Sequence, residues 1–316
     1  MTDPTPILPP EAERICFAAM QLARGRLVGM PTETVYGLAA DATNAQAVAA
    51  IYAAKGRPAF NPLIVHAPDL AVAERFAHFD AEARALAQAF WPGPLTLVRP
   101  LRQGSGLASL VTAGLDTVAL RVPAHPVAQS LLRAFEGVVA APSANPSGRI
   151  SPTTAQHVID GLDGKLAAVL DAGPCTVGVE STIIGWREGQ PTLLRPGGLP
   201  AEAIEAALGR PLARLAASND HNPDAPGQLS SHYAPRAALR MNATAPRPAE
   251  YLIGFGDVAG DDTLSESADL TEAAARLFDV LHRADHTGQP IAVAPIPDHG
   301  LGRAINDRLR RAAAPR

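Results

Sequence analysis

Lysine is almost missing from this chain of 316 residues: of 27 basic side chains only Lys55 and Lys165 are lysine, the rest being arginine. Cysteine is nearly absent too. Cys16 and Cys175 have no CxxC spacing, which excludes a zinc site built on cysteine alone and suits two thiols in a reducing compartment. No apolar run approaches the ~20 residues of a membrane span, and the proline-rich, acidic start of the chain has no apolar signal core. A soluble, cytoplasmic protein is expected. Positive charge is not in excess, with a net charge of −4 and a pI of 6.1. Strong direct nucleic-acid binding is therefore not expected, because such affinity comes from neutralised phosphates. Walker-type GxxxxGK[ST], HExxH and GxSxG motifs are absent, as is any metal-ligand cluster. A single Rossmann-like match, Gly254 to Ala259, is followed by Gly260, Asp261 and Asp262 instead of a helix, and reads as a glycine-rich turn.

What is present is the composition of a globular protein, 47% hydrophobic and 18% charged, with length for two domains. In residues 1–212 helical and strand patterns alternate. Apolar stripes predict helices over 11–24, 44–55, 81–90, 125–135, 153–162 and 201–208. Strands are predicted over 27–30, 63–66, 95–100, 117–122, 138–143, 169–172, 181–186 and 192–195. Thr43 with Gln46 has capping-box spacing, and Gly56 is placed to end that helix. The expected fold is an α/β domain around a twisted mixed sheet flanked by helices. Residues 213–237, rich in Asn, Asp, Pro, Gly and Ser, read as a linker. Residues 238–316, with strand-like 239–241, 251–255 and 291–295 and helix-like 270–283 and 301–313, form a small Rossmann-like α/β domain.

The segments that carry chemistry fall at strand ends and in adjoining turns, where open α/β sheets place ligands. Arg121 ends a strand whose pleat puts Thr117 and Ala119 on the same face, and Ala141 and Ser143 share a face of theirs. An arginine among hydroxyls and small residues suits a carboxylate or phosphate. Lys55 and Arg57 stand at a helix C-terminus, where cations are favoured by ~0.3–1 kcal/mol without any functional demand. With Arg195 they also make three cations able to oppose a triphosphate. Trp91-Pro92-Gly93-Pro94 reads as a rigid turn that supports the site.

Pro31-Thr-Glu-Thr-Val-Tyr-Gly-Leu38, Lys55-Gly-Arg-Pro58, Asn61-Pro-Leu-Ile-Val-His66, Arg121-Val-Pro123, Ala141-Pro-Ser-Ala-Asn-Pro-Ser-Gly148 and Glu180-Ser-Thr-Ile183 occur in this order, and Ser231-His-Tyr-Ala-Pro235 follows. Together they resemble the YrdC-like threonylcarbamoyl-AMP synthase family in its two-domain form, over almost the whole chain. The resemblance implies synthesis of L-threonylcarbamoyladenylate and pyrophosphate from L-threonine, bicarbonate or CO2, and ATP. That is the first step of threonylcarbamoyl-adenosine formation in tRNAs reading ANN codons. It implies a threonine pocket of Thr34, His66, Arg121, Ala141 and Ser181. The nucleotide would meet Lys55, Arg57, Asn61, Thr117, Ser143, Ser151, Arg195 and Tyr233, with His232 as the alternative to Tyr233. Lys55 and Arg57 would be the catalytic cations. Mg2+ is expected to come with ATP, held by no protein cage. The linker is expected to close over the site as a lid, and the product to pass to a separate transferase complex acting on tRNA. An RNA-binding factor, a hydrogenase-maturation carbamoyl transferase and an inactive nucleotide-binding regulator are the other readings; the acidic pI, the missing modules and the complete residue set weigh against them.

Overall fold

A computed structural model describes residues 3–214 and 231–315. The apolar runs of the first part become the strands of one sheet: β1 (Ile7–Leu8), β2 (Val28–Met30), β3 (Gly37–Asp41), β4 (Ile64–His66), β5 (Leu95–Pro100), β6 (Thr117–Arg121), β7 (Val139–Ala140), β8 (Ala168–Leu170), β9 (Thr182–Arg187), β10 (Gln190–Arg195) and β11 (Ala213–Arg214). Their order is β1-β8-β2-β3-β7-β4-β6-β5-β9-β10-β11. Parallel pairs (β4 with β6, β5 with β9) mix with antiparallel ones (β5 with β6, β9 with β10). Because directions alternate along this part of the sheet, the ends of β4, β6 and β10 come to the same edge as the starts of β5 and β9, and that edge carries the site.

The helix Ala45–Lys55 shows how local sequence sets the frame. Asn44 accepts from the Gln46 and Ala47 amides, and Gly56 closes the helix at φ 61°. The N-cap is therefore Asn44 and not Thr43, whose hydroxyl instead donates to Asp41. An amide acceptor one residue on satisfies the same orphan donors. Ile51 and Val48 face the core, leaving Lys55 at the last turn beside the 143–145 segment.

Residues 239–315 form a second sheet of parallel strands, β12 (Leu239–Arg240), β13 (Tyr251–Gly254), β14 (Asp262–Thr263) and β15 (Ile291–Val293), in the order β12-β15-β13-β14. Helices Leu270–His286 and Gly302–Ala312 pack on it. The glycine-rich turn after β13 folds back on itself, with Phe255 bridging Val258. This second core is completed from outside the domain: Val35, Ile150 and Val179 of the first domain and Tyr233 pack into it. The two domains thus share buried apolar surface.

Four expectations are corrected. β1 lies in the proline-rich start, where Val169 of β8 draws Ile7 into register. β3 and β14 are too short or too alanine- and glycine-rich to show a strand pattern. The strand expected over 138–143 is ladder only at Val139–Ala140, and 141–145 run on as a loop that lines the cleft. The first sheet also extends two residues past 212, since Ala213 and Arg214 pair with β10.

Candidate active site

A narrow cleft opens at the sheet edge. One of its walls is built on Arg121. In the β4–β6 register Arg121 sits opposite His66, and the side chain is 4% exposed. Nη2 donates to Glu33 Oε1 at 2.7 Å, Nη1 to Thr34 Oγ1 at 2.8 Å and Nε to Gly93 O at 3.3 Å. Gly93 belongs to the Trp91–Pro94 turn, which carries a cis Trp91–Pro92 bond and whose Gly93 amide donates to Val122 O. The turn supports the site as expected. A guanidinium has five N–H groups, so two of them stay available for a planar acceptor such as a carboxylate. Thr34 Oγ1 is held by Thr32 Oγ1 at 2.8 Å, and Thr32 Oγ1 donates to Val35 O at 2.6 Å. Burial raises the Glu33 proton affinity, but Arg121 outweighs it and keeps the carboxyl below its ordinary value. Burial and Arg121 draw His66 down to about 3, so this wall presents a neutral imidazole, whose Nδ1 lies 3.2 Å from Ile64 O.

The opposite wall is cationic. Arg57 Nε and Nη2 donate to the carbonyls of Asn61 and Pro62 at 3.2 and 2.8 Å, which aims the guanidinium along the cleft. Burial, with Arg195 nearby, lowers its pKa to about 10, so it stays charged at neutral pH. Arg195 closes β10, and its Nη2 lies 2.8 Å from Ser181 O and 3.2 Å from Ser181 Oγ. Ser181 Oγ pairs with Thr96 Oγ1 at 2.7 Å. Ser143, His232 and Tyr233 complete the lining. Both His232 and Tyr233 are buried, with rings 4.1 Å apart. The Ala234 amide donates to Gly148 O at 2.8 Å, tying this end of the linker across the site. The rest of the expected lid, 216–230, lies outside the described residues.

Among the described residues no group of three His, Cys, Asp or Glu is placed to hold a metal. Glu180 of the lining is engaged by Arg308, and Glu33, next to the lining residues Thr32 and Thr34, by Arg121. Among the described residues no hydroxyl of the lining is bonded to a histidine ring. What the arrangement offers is positioned cations, buried hydrogen-bonding groups and limited water, which suits transfer between two bound anions.

A family model described as telomere recombination matches residues 20–197, and one described as threonylcarbamoyl-AMP synthase, C-terminal domain, matches residues 199–314. The chain is 42% identical to the threonylcarbamoyl-AMP synthase of Bacillus subtilis over 96% of its own length and 94% of the relative's. It is 41% identical to that of Pyrococcus abyssi, covering 96% and 95%. The chain belongs to this family. A crystal structure of P. abyssi Sua5 complexed with L-threonine superposes with a TM-score of 0.89 at 40% identity, over 96% of this chain and 95% of that one. E. coli YciO shares the fold at 20% identity and a TM-score of 0.54, over 62% of this chain and 96% of that one. No helix among the described residues is long and apolar enough to cross a membrane.

As in the family pattern quoted from the sequence, the cleft brings together Thr34, Arg57, His66, Arg121, Ala141, Ser143, Ser181, Arg195 and Tyr233. Three expected residues stand behind the lining. Asn61 is buried and serves Arg57 through its carbonyl. Ser151 Oγ donates to Glu180 Oε1 at 2.5 Å. Lys55 is 4% exposed, and its Nζ donates to the carbonyls of Ser143 and Asn145, each at 2.5 Å. Burial and the Arg57 charge push the Lys55 pKa well below its ordinary value. Its amine thus pins the 143–145 loop, where the sequence suggested a phosphate contact. Thr117 is not brought to the site: it begins β6 opposite Pro100, and four residues of rise put it about 13 Å from Arg121. It shares the face of Arg121 and stands at the other end of the strand. Sequence reasoning missed Glu180 and Arg308 as a pair. Glu180 had a signal in Glu-Ser-Thr-Ile, whereas Arg308 is 128 residues away and had none.

Proposed function

We propose that Arg121 and Thr34 receive the carboxylate and hydroxyl of L-threonine, and that the phosphates of ATP lie along Arg57, Ser143 and Arg195 with Tyr233 over the nucleotide. The chain is a threonylcarbamoyl-AMP synthase. The observation that carries the reading is the pairing of one buried arginine holding two open N–H groups with a separate wall of two arginines. One wall matches an amino-acid carboxylate and the other a polyphosphate. The threonine amine attacks bicarbonate or CO2 to give a carbamate; bicarbonate loses water in doing so. A carbamate oxygen then attacks the α-phosphorus of ATP, the bond to the β-phosphate oxygen breaks, and pyrophosphate leaves. No covalent enzyme intermediate is needed, in keeping with a lining that has no activated hydroxyl. Mg2+ bound to ATP supplies charge neutralisation on the phosphates, while Arg57 and Arg195 supply the protein's share. Neutral His66 adds no charge beside the threonine amine. His232 and Tyr233, closing from the linker, limit water at an acyl-phosphate product that water would destroy.

The product would pass in the cytoplasm to a separate transferase acting on tRNA. Pyrophosphate release from ATP and Mg2+, with threonine and bicarbonate omitted one at a time, tests this. Release is expected only when both are present; equal release without threonine would overturn the substrate assignment.

A further inference from the structure

One side chain of the second domain reaches the back of the cleft wall at Glu180. Arg308, on the Gly302–Ala312 helix, is fully buried. Its Nε donates to Glu180 Oε2 at 2.7 Å, and Nη1 donates to Pro196 O at 2.9 Å and to Asp307 Oδ2 at 2.7 Å. Its guanidinium carbon lies 5.1 Å from the centre of the Tyr233 ring. Three segments that build the nucleotide wall, at Glu180–Ser181, Arg195–Pro196 and Tyr233, therefore meet on a residue of the other domain. They are packed without slack. A Cβ at Gly197 would lie 2.3 Å from Glu180 O, and the Gly198 amide donates to that same oxygen.

Glu180 makes this contact consequential. It lines the cleft, and its other oxygen orients Ser151. A bare carboxylate there would repel a polyphosphate across a poorly screened site. Asp307, the other acid on Arg308, is shared with Arg311 at 3.1 Å, so Arg308 is not consumed by its own helix.

We propose that Arg308 is a positioning residue for the nucleotide, cancelling the charge of Glu180 and seating Tyr233 so that Arg57 and Arg195 meet the phosphates unopposed. This rests on the reading of the cleft as an ATP site. It gives the second domain a part in substrate binding while its residues stay out of the lining. A purely structural bolt would weaken the fold and reduce affinity for both substrates alike, whereas charge cancellation acts on the polyanion selectively.

The test is calorimetric titration of the full chain with ATP and, separately, with threonine. Arg308→Gln is expected to weaken ATP binding at least tenfold and threonine binding less than twofold. Adding Glu180→Gln should recover a large part of the lost ATP affinity. If Arg308→Gln does not fold, Glu180→Gln is compared with the double variant, which differs from it by Arg308 alone, and should bind ATP several-fold more tightly. Unchanged ATP affinity in a folded Arg308→Gln, equal loss for both ligands, or equal affinity in that second comparison would overturn the inference. Wild-type protein that binds threonine and no ATP would instead overturn the reading beneath it.

Discussion

Replacing Arg121 by methionine separates what this residue does for the fold from what it does for the substrate. The guanidinium is the only cation bonded to Glu33 among the described contacts, at 2.7 Å, and the Glu33 side chain is 9% exposed. Removing one partner of a buried pair costs roughly 3–5 kcal/mol, because the other charge is left without compensation. Part of that loss is avoided if Glu33 takes up a proton, which its burial favours once Arg121 is gone. Arg121→Met is therefore expected to lose about 3 kcal/mol in denaturant unfolding of the first domain. Changing Glu33 to Gln in the same chain removes the stranded charge and should recover most of it. Threonine affinity should not follow. Two charge-assisted hydrogen bonds to its carboxylate, at ~1.5–3 kcal/mol for such a bond, are gone in both variants, so binding should fall by tenfold or more in each. Chemical denaturation and threonine calorimetry on the same preparations give both quantities. A stability loss under about 1 kcal/mol for Arg121→Met, or threonine affinity regained in the double variant, would refute the assignment.

Acid should weaken the protein in a window to which the buried His66, His232 and His282 and the carboxyl of Glu33 all contribute. His66 has a folded pKa of about 3 against 6.5 when exposed, so the unfolded chain binds more protons and stability falls as pH drops from 6.5 toward 3. Glu33 is depressed as well and adds to the loss below the ordinary carboxylate range. His66→Gln should remove up to ~1.4 kcal/mol per pH unit of that slope; an unchanged slope in urea titrations would count against a buried neutral imidazole. Lys55→Met should leave two carbonyls without their donor, at ~1–3 kcal/mol each, less what is regained by no longer burying an ammonium. The expected result is a less stable protein whose ATP affinity falls through the displaced 143–145 loop. Selective loss of ATP binding at unchanged stability would return Lys55 to direct phosphate contact.

Much of the cleft was legible in the sequence because strand parity, helix caps and the ordered motifs around Arg121, Ser143 and Ser181 are local signals. Gly56 ends its helix as its freedom at positive φ predicts. Thr117 was expected at the nucleotide from the family pattern; period-two geometry gives it the face of Arg121, while it begins β6 and is not among the residues that line the cleft. Lys55 was read as a phosphate-facing cation because nothing local announces that two carbonyls 88 and 90 residues away will enclose its amine. β3 and β14 form through the strands they pair with, β2 and β7 for the one and β13 for the other, and their own composition carries little preference. The Arg308–Glu180 pair is invisible for the same reason: it exists only once the second domain docks.

The most direct measurement is mass spectrometry of the quenched reaction run with 13C-bicarbonate, threonine, ATP and Mg2+. The account predicts an AMP adduct of threonine carrying the 13C label, formed in step with pyrophosphate. A threonyl adenylate without the label, made through the amino-acid carboxylate itself, would contradict it.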